Sequence, residues 1–218
     1  MPEIVLQRWE FVTTKAESLI VLPDGCRDVI FHWQADCNEV EMMVTDLDDC
    51  AYHVPVQVGE RFVGYRFHPA VCVDEQGLLA LKHEMVKALL IYDEKVVLQG
   101  IGEHVQMDAR LGEALQGIMF YQQPYQIAKG LGVSVRTLER LLGQTTGRTV
   151  LFWRALVRMR RAAKMMGQTN LPLAEIAAVQ EYADQPHMTR EFKRWLGISP
   201  GVFRAREQWH CALLPGYD

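Results

Sequence analysis

One pattern occurs twice in this chain, about fifty residues apart, and it restricts the fold more than any other feature. The first copy runs Ile127-Ala128, a small-residue turn at Gly130, Leu131 and Gly132, then Leu138, Arg140, Leu142, Gly147, Trp153 and Arg154. The second runs Ile176-Ala177, Met188, Arg190, Phe192, Gly197, Phe203 and Arg204. From Leu138 and Met188 onward the offset is 50, whereas Ile127 and Ile176 lie 49 apart, so one residue has been added at the second turn. The chain therefore contains two supersecondary units of one kind.

Each unit reads as helix, tight turn, helix. A short apolar helix carries the Ile-Ala pair, a break follows, and a second helix starts at a capping residue, Ser134 or Asp184. In the first of these second helices, Val135, Leu138, Leu141 and Leu142 recur at helical spacing and leave Arg136, Thr137, Arg140 and Gln144 on the other side. In its counterpart, Met188, Phe192 and Trp195 form the buried stripe, and Thr189, Arg190 and Lys193 project away from it, with Gln185 in the first turn. Donor-rich helices in helix-turn-helix spacing suit a DNA major groove about 12 Å wide. Arg136, Thr137, Arg140, Gln185, Thr189, Arg190 and Lys193 are the candidate base readers. Arg190 has a structural alternative, because it and its equivalent Arg140 each lie one residue from a core stripe.

Between the two units, 150–166 reads as one helix capped by Thr149, with Arg154, Arg158 and Arg161 on it. Its seventeen residues span about 25 Å at 1.5 Å per residue, enough to hold two reading heads about one DNA turn, roughly 34 Å, apart. Those three arginines, with Ser134 and Gln144, are expected at phosphates; the arginines alternatively pair with acidic neighbours. After Gly197, Ser199 is a cap followed by Pro200 at the first helical position.

Residues 124–206 resemble the DNA-binding domain of the AraC/XylS family of bacterial transcription regulators. The stretch I-A-A-V-Q-E-Y-A-D-Q-P-H-M-T-R-E-F-K-R-W-L-G-I-S-P-G-V-F-R is close to that family's signature. The resemblance covers 83 of the 218 residues. It implies two helix-turn-helix units joined by a long helix, reading adjacent major-groove segments of double-stranded DNA, and activation through contact with RNA polymerase. Two residues depart from the pattern. Glu181 stands where the family usually has glycine, at a cost of about 1 kcal/mol if the turn needs a positive φ. Glu139 sits between two arginines, where its charge repels phosphate unless it pairs with Arg136 or accepts from a cytosine amine.

Net charge is −4, which alone argues against a nucleic-acid partner, but the charge is divided unevenly. Residues 1–121 carry 9 Lys and Arg against 20 Asp and Glu, a balance of −11, while residues 122–218 carry 14 against 7, a balance of +7. The positive half holds the helix-turn-helix units, as phosphate binding requires. No run of about 18 apolar residues occurs, and Met-Pro-Glu-Ile does not begin a signal peptide, so a cytoplasmic protein without membrane contact is expected. Cys26, Cys37, Cys50, Cys72 and Cys211 form no CxxC pair and read as reduced thiols.

In the acidic half, short apolar runs at 4–6, 19–22, 29–33, 42–44, 54–58 and 62–67 alternate with turns such as 23–25, 36–38, 46–49 and 59–60. Six strands there predict a small antiparallel β-barrel or sandwich. P-D-G-C-R-D-V-I-F and Y-R-F-H-P-A resemble two stretches of a short sensory domain that precedes AraC-type DNA-binding domains, although glycine is more usual where Ala70 stands. That resemblance implies a reduced cupin-like barrel whose interior holds a small molecule. Asp28, Ile30 and His32 share a strand face and, with Tyr65, Phe67 and His68, make up the candidate effector pocket; for Asp24 the turn is the better explanation. Helices are expected over 78–91 and, capped by Asp108, to Tyr121, with a loop through Gly100 and Gly102 between them.

The fold class is thus α+β, a small β domain followed by an all-α domain. The expected organisation is a sensory domain at 1–104, a connecting helix and linker at 105–123 with its boundary at Gln122-Gln123-Pro124, the DNA-binding domain at 124–207 and a tail at 208–218. Self-association is a further expectation, through the 108–121 helix, whose stripe alternatively packs on the barrel. Two other function classes compete with a DNA-binding regulator. One is a protein-interaction regulator with weakened readout, the acidic half covering the basic one. The other is a metal or redox sensor using His32, Cys37, Cys50, His53, His68 and Cys72, or Cys26, whose neighbour Arg27 would lower its pKa; their spacings match no compact zinc pattern. No nucleophile and base pair, P-loop or dinucleotide fingerprint is present, and no methyl-acceptor cysteine motif of the AraC-linked DNA-alkylation repair proteins, so no enzyme, cofactor or metal is expected.

Overall fold

The computed structural model describes residues 4–34, 39–120, 123–213 and 216–218. The turn at 36–38 with Cys37, the helix end at Tyr121 and Gln122 of the expected boundary lie outside the described residues. In chain order the elements are β1 (Val5–Val12), β2 (Glu17–Val21), β3 (Asp28–Trp33), β4 (Glu41–Val44), β5 (Tyr52–Val56), β6 (Arg61–Phe67), β7 (Val71–Val73), α1 (Glu75–Ala80), α2 (Lys82–Leu90), α3 (Glu94–His104) and β8 (Val105–Met107). The helices α4 (Ala109–Met119), α5 (Pro124–Gly130), α6 (Val135–Thr146), α7 (Val150–Gln168), α8 (Leu173–Val179), α9 (Gln185–Leu196), α10 (Pro200–Ala205) and α11 (Glu207–Cys211) follow. Two compact units share these elements. Unit 1 comprises 1–17, 26–46 and 55–112, and unit 2 comprises 18–25, 47–54 and 113–218.

All six expected strands form, but they do not close a barrel. Unit 1 is built on an open antiparallel sheet in the order β1-β6-β3-β4, while β2 and β5 pair only with each other. The difference lies in what covers the sheet. Val29, Phe31, Val63, Tyr65 and Phe67 are buried on one face with Leu78, Met85, Ala88, Val97 and Ile101 of α1, α2 and α3. Three helices thereby supply the second layer that another sheet would supply in a sandwich. The expected loop through Gly100 and Gly102 is in fact α3. Asp93 caps it by accepting from the Val96 N–H, and Val97, Gly100 and Ile101 are its buried side, so Gly100 marks close packing and not a break. A Cβ on Gly100 would meet Leu81 and Met85 at 3.4 Å. The expected 78–91 helix is divided at Leu81, which ends α1 and starts α2.

On the opposite face of the sheet Trp9 lies flat across Gly64, where an added Cβ would stand 2.1 Å from the indole. Asp28 accepts from the Trp9 indole N–H at 3.0 Å and pairs with Arg66 at 3.1 Å. The ribbon β7-β8 runs antiparallel, Cys72 opposite Gln106, and neither strand has an expected counterpart in the sequence reading. Next to it, Asp74 caps α1 and pairs with His104 at 3.0 Å.

In unit 2, α7 is the central helix, and Trp153, Leu156, Val157, Met159, Arg160 and Ala163 are buried along it. Arg160 is fully buried and was not singled out by the sequence reading; its guanidinium donates to the Pro23 carbonyl at 3.1 Å and pairs with Asp218 at 3.5 Å. Gly25 sits so close to Trp153 and Tyr217 that a Cβ would approach them to 2.8 and 2.9 Å. The Ala51 N–H donates to the Trp195 carbonyl at 2.7 Å. Among the described residues no helix is long and apolar enough to cross a membrane.

Candidate nucleic-acid interface and ligand pocket

The duplicated pattern is duplicated geometry. Ser134 and Asp184 each accept from the N–H three residues on, and Gly147 (φ 66°) and Gly197 (φ 72°) close α6 and α9 in the left-handed conformation. Thr149 and Ser199 cap α7 and α10 in the same way. The turns agree as well. Val133 donates to Ala128 at 2.9 Å, and Tyr182, 49 positions later, donates to Ala177 at 2.9 Å. Within them Gly132 has φ 65° and Glu181 φ 57°, so the departure at Glu181 falls where a left-handed residue is needed.

Of the candidate base readers, Arg136 and Arg140 on α6 and Gln185, Arg190 and Lys193 on α9 are exposed. Neither Arg140 nor Arg190 is drawn into the core. Thr137 and Thr189 are half-buried, and the Thr189 hydroxyl donates to the Gln185 carbonyl at 3.0 Å, leaving only its methyl and lone pairs to offer. Arg194, exposed beside Lys193, is a further cation of this face that sequence reasoning passed over, although it follows Lys193 directly. Among the described residues no ion pair links Glu139 to Arg136 or Arg140.

The expected phosphate set divides. Ser134 and Gln144 are exposed, with the Ser134 hydroxyl held at 3.0 Å from that of Thr137. Arg154 and Arg161 are half-buried, and Arg154 Nε is enclosed without a hydrogen-bond partner. Arg158 follows the alternative of pairing with an acidic neighbour: it donates to Glu191 on α9 at 2.5 Å and lies over the Tyr182 ring at 4.5 Å. Burial, and then the nearby Glu191 carboxylate, push the Tyr182 phenol well above its usual range.

The candidate effector residues of unit 1 do not converge. Asp28 stands opposite Arg66, and Tyr65 opposite Val29, so the pleat puts Asp28, Ile30 and His32 on one face and Tyr65 and Phe67 on the other. Asp28 is buried against Arg66, His32 stacks on Phe62 with centroids 4.4 Å apart, and His68 Nδ1 accepts from the Ala70 N–H at 3.0 Å. Phe67 is closed within the core. Tyr65, by contrast, borders a cavity of about 300 Å³ at the end of the helix-covered face. Its other walls include Arg8, Trp33, Arg61, Leu89, Tyr92 and Glu94, none of which the sequence had marked.

Of the described thiols, Cys26, Cys50 and Cys72, none resembles an activated nucleophile. Cys26 is 4% exposed, and the Cys50 and Cys72 thiols are pushed up, each by burial first and then by Asp49 and Asp108 respectively, away from the thiolate a redox sensor uses. Among the described residues no three His, Cys, Asp or Glu side chains gather as a metal site would require.

A family model described as a helix-turn-helix domain matches residues 127–206. The arabinose operon regulatory protein of Salmonella typhimurium is 29% identical over 133 residues, 59% of this chain and 46% of that protein. Its Escherichia coli counterpart is 32% identical over 107 residues, 47% of this chain and 37% of that protein, so the matches span less than half of either relative. Among solved structures, the C-terminal domain of AraT, a response regulator from Geobacillus stearothermophilus, is 28% identical, with 45% of this chain and 85% of that one aligned at a TM-score of 0.42. The family model agrees with the paired caps, paired left-handed turns and joining helix, and residues 127–206 form a helix-turn-helix domain.

Proposed function

We propose that this chain is a sequence-specific DNA-binding regulator of transcription, with unit 2 as reader and unit 1 as sensory or self-associating part. The observation that carries the reading is the repeated reading head: α6 and α9 share caps, turns and buried stripe, and each leaves a row of exposed donors. α7, at 19 residues, is about 28 Å long, close to the roughly 34 Å of one DNA turn. Two heads at that separation suit successive major-groove segments on one face of the duplex. The balance of +7 in residues 122–218 supplies the attraction to phosphate.

In this reading Arg136, Arg140, Gln185, Arg190 and Lys193 read base edges, and Ser134, Gln144, Arg154 and Arg161 hold phosphates. Arg158 instead braces α9 through Glu191. Thr137 and Thr189 contribute apolar contacts, for instance to a thymine methyl. Regulation is a population shift: a small molecule in unit 1, or pairing of two copies, must favour one arrangement of the DNA-reading unit over another. RNA polymerase is the proposed partner at the promoter, on the family resemblance.

The test is selection of preferred sites from a random pool of duplexes by the full chain at moderate salt. The expected product is one bipartite site with its halves about one helical turn apart. Arg136→Ala should relax the sequence at one half only, with affinity lower by about 10- to 100-fold, corresponding to about 1 to 3 kcal/mol for a lost bidentate contact. Failure of the full chain to enrich any sequence counts against the reading.

A further inference from the structure

The cavity of unit 1 lies where the sheet's helix-covered face runs past the α2–α3 junction. Strand pairing sets Arg8 beside Tyr65 and Trp33 beside Arg61, and Leu89, Tyr92 and Glu94 close the space from the junction. At about 300 Å³ it lies at the small end of ligand pockets and suits a single small metabolite.

Its polar groups have an unusual balance. Glu10 accepts from Arg8 at 2.7 Å and from Arg61 Nε at 2.9 Å, and Arg8 Nε lies 3.3 Å from Glu94. Two guanidinium groups therefore face two carboxylates, and the surroundings are neutral overall while strongly dipolar. A ligand with net charge would leave one charge uncompensated in a partly desolvated space, whereas a zwitterion adds none. Two groups have capacity to spare. Tyr65 is 1% exposed, and its hydroxyl lies beside the Arg8 guanidinium with no acceptor for its own proton. The Glu94 side chain is 52% exposed and holds Arg8 by the longest of these contacts, so it is the one most readily turned to a new cation. Trp33, Val63, Leu89, Leu90 and Tyr92 supply apolar wall. Tyr92 stands at the mouth in a left-handed conformation (φ 58°) that tyrosine rarely adopts, a strain that persists only where the surroundings impose it.

We propose that this cavity binds an apolar α-amino acid, its carboxylate taken by Arg8 and the Tyr65 hydroxyl, its ammonium by Glu94, and its side chain by the wall of Trp33, Leu89 and Tyr92. The inference deepens the reading of unit 1 as a sensory part and rests on it.

The experiment is calorimetric titration and thermal unfolding of the full chain with L-leucine, L-phenylalanine, 3-phenylpropionate and 2-phenylethylamine. The last two are phenylalanine without its ammonium and without its carboxylate. At least one amino acid should raise the unfolding midpoint and bind about tenfold or more tightly than either deaminated or decarboxylated analogue, the scale of one charge-assisted hydrogen bond. Tyr65→Phe should weaken the amino acid about tenfold and leave 2-phenylethylamine unchanged, which a purely structural tyrosine would not do. Glu94→Gln should bring 3-phenylpropionate level with phenylalanine. The proposal is overturned if none of the four probes binds at millimolar concentration, or if 3-phenylpropionate matches phenylalanine on the unaltered chain. Binding of an amino acid by a chain that selects no DNA site would remove the regulator reading and leave the pocket; site selection without probe binding would remove the pocket alone.

Discussion

Gly132 and Glu181 occupy equivalent corners of the two repeats, with φ of 65° and 57°, and differ only in having a side chain. An added Cβ at Gly132 meets nothing within 4 Å, so the pair isolates the backbone cost of a left-handed residue. Glu181→Gly is expected to raise stability by up to about 1 kcal/mol, and Gly132→Ala to lower it by about the same amount, both read from urea midpoints at constant slope. Asp74 offers a second residue-scale test, in unit 1. The Gly77 N–H, and after it His104, hold its carboxyl below the ordinary aspartate range. A depressed folded pKa means that the stabilisation is complete above the unfolded value of about 4 and is lost as pH falls through the folded value. Asp74→Ala should therefore lower the urea midpoint at pH 7, and the gap to the unaltered chain should narrow below about pH 4.

At the scale of elements, α9 is held by its apolar stripe and by the ion pair of Glu191 with Arg158 on α7. The Arg158 and Glu191 side chains are 20% and 16% exposed, so neither can be freely rehydrated when its partner is removed. Glu191→Ala is expected to cost about 2 kcal/mol, and the double change with Arg158→Ala less than the sum of the two, which a double-mutant cycle on urea midpoints measures. The repeat made α5 to α10 legible, because caps, stripes and left-handed ends at matching positions all specify the same elements. Much less of unit 1 could be read. Gly100 and Gly102 look like loop residues until Leu81 and Met85 are known to lie against the helix that carries Gly100. Alternation along β6 does group Tyr65 with Phe67, yet which residues of β3 share their face depends on register, and Asp28 pairing with Arg66 sends the expected pocket to both sides of the sheet. The cavity that does form draws Arg8, Trp33, Arg61 and the Tyr92–Glu94 junction from four separate stretches of chain, and no local spacing links those stretches. Arg160 is legible from spacing, since it follows Leu156 by four residues and precedes Ala163 by three, both of them buried along α7.

For the molecule as a whole, the chain passes between the two units at 17–18, 25–26, 46–47, 54–55 and 112–113. Unit 2 consequently owns two segments that precede most of unit 1 in sequence. Leu22 and Pro23 are buried in it, and the Pro23 carbonyl receives the enclosed Arg160 guanidinium. A fragment of 113–218 keeps every helix-turn-helix residue but loses that acceptor, the Trp195 contact of Ala51 and the wall that Gly25 places against Trp153. It is expected to unfold at a clearly lower urea concentration than unit 2 within the full chain, since a buried guanidinium that keeps Asp218 but loses the Pro23 carbonyl costs about 1 to 3 kcal/mol by itself. Tryptophan fluorescence during unfolding is the measurement, with Trp153 and Trp195 buried in the region concerned. The interleaving also bears on how such a chain can diverge. Exchange of coding segments near residue 122 would deliver a recognition module without the two strips that complete its interior, so a reader grafted from another lineage must either arrive with those strips or close over the gap. Inheritance of the two halves is thereby tied together, and a change of target sequence is more readily reached by altering the exposed rows of α6 and α9 than by replacing the module that carries them.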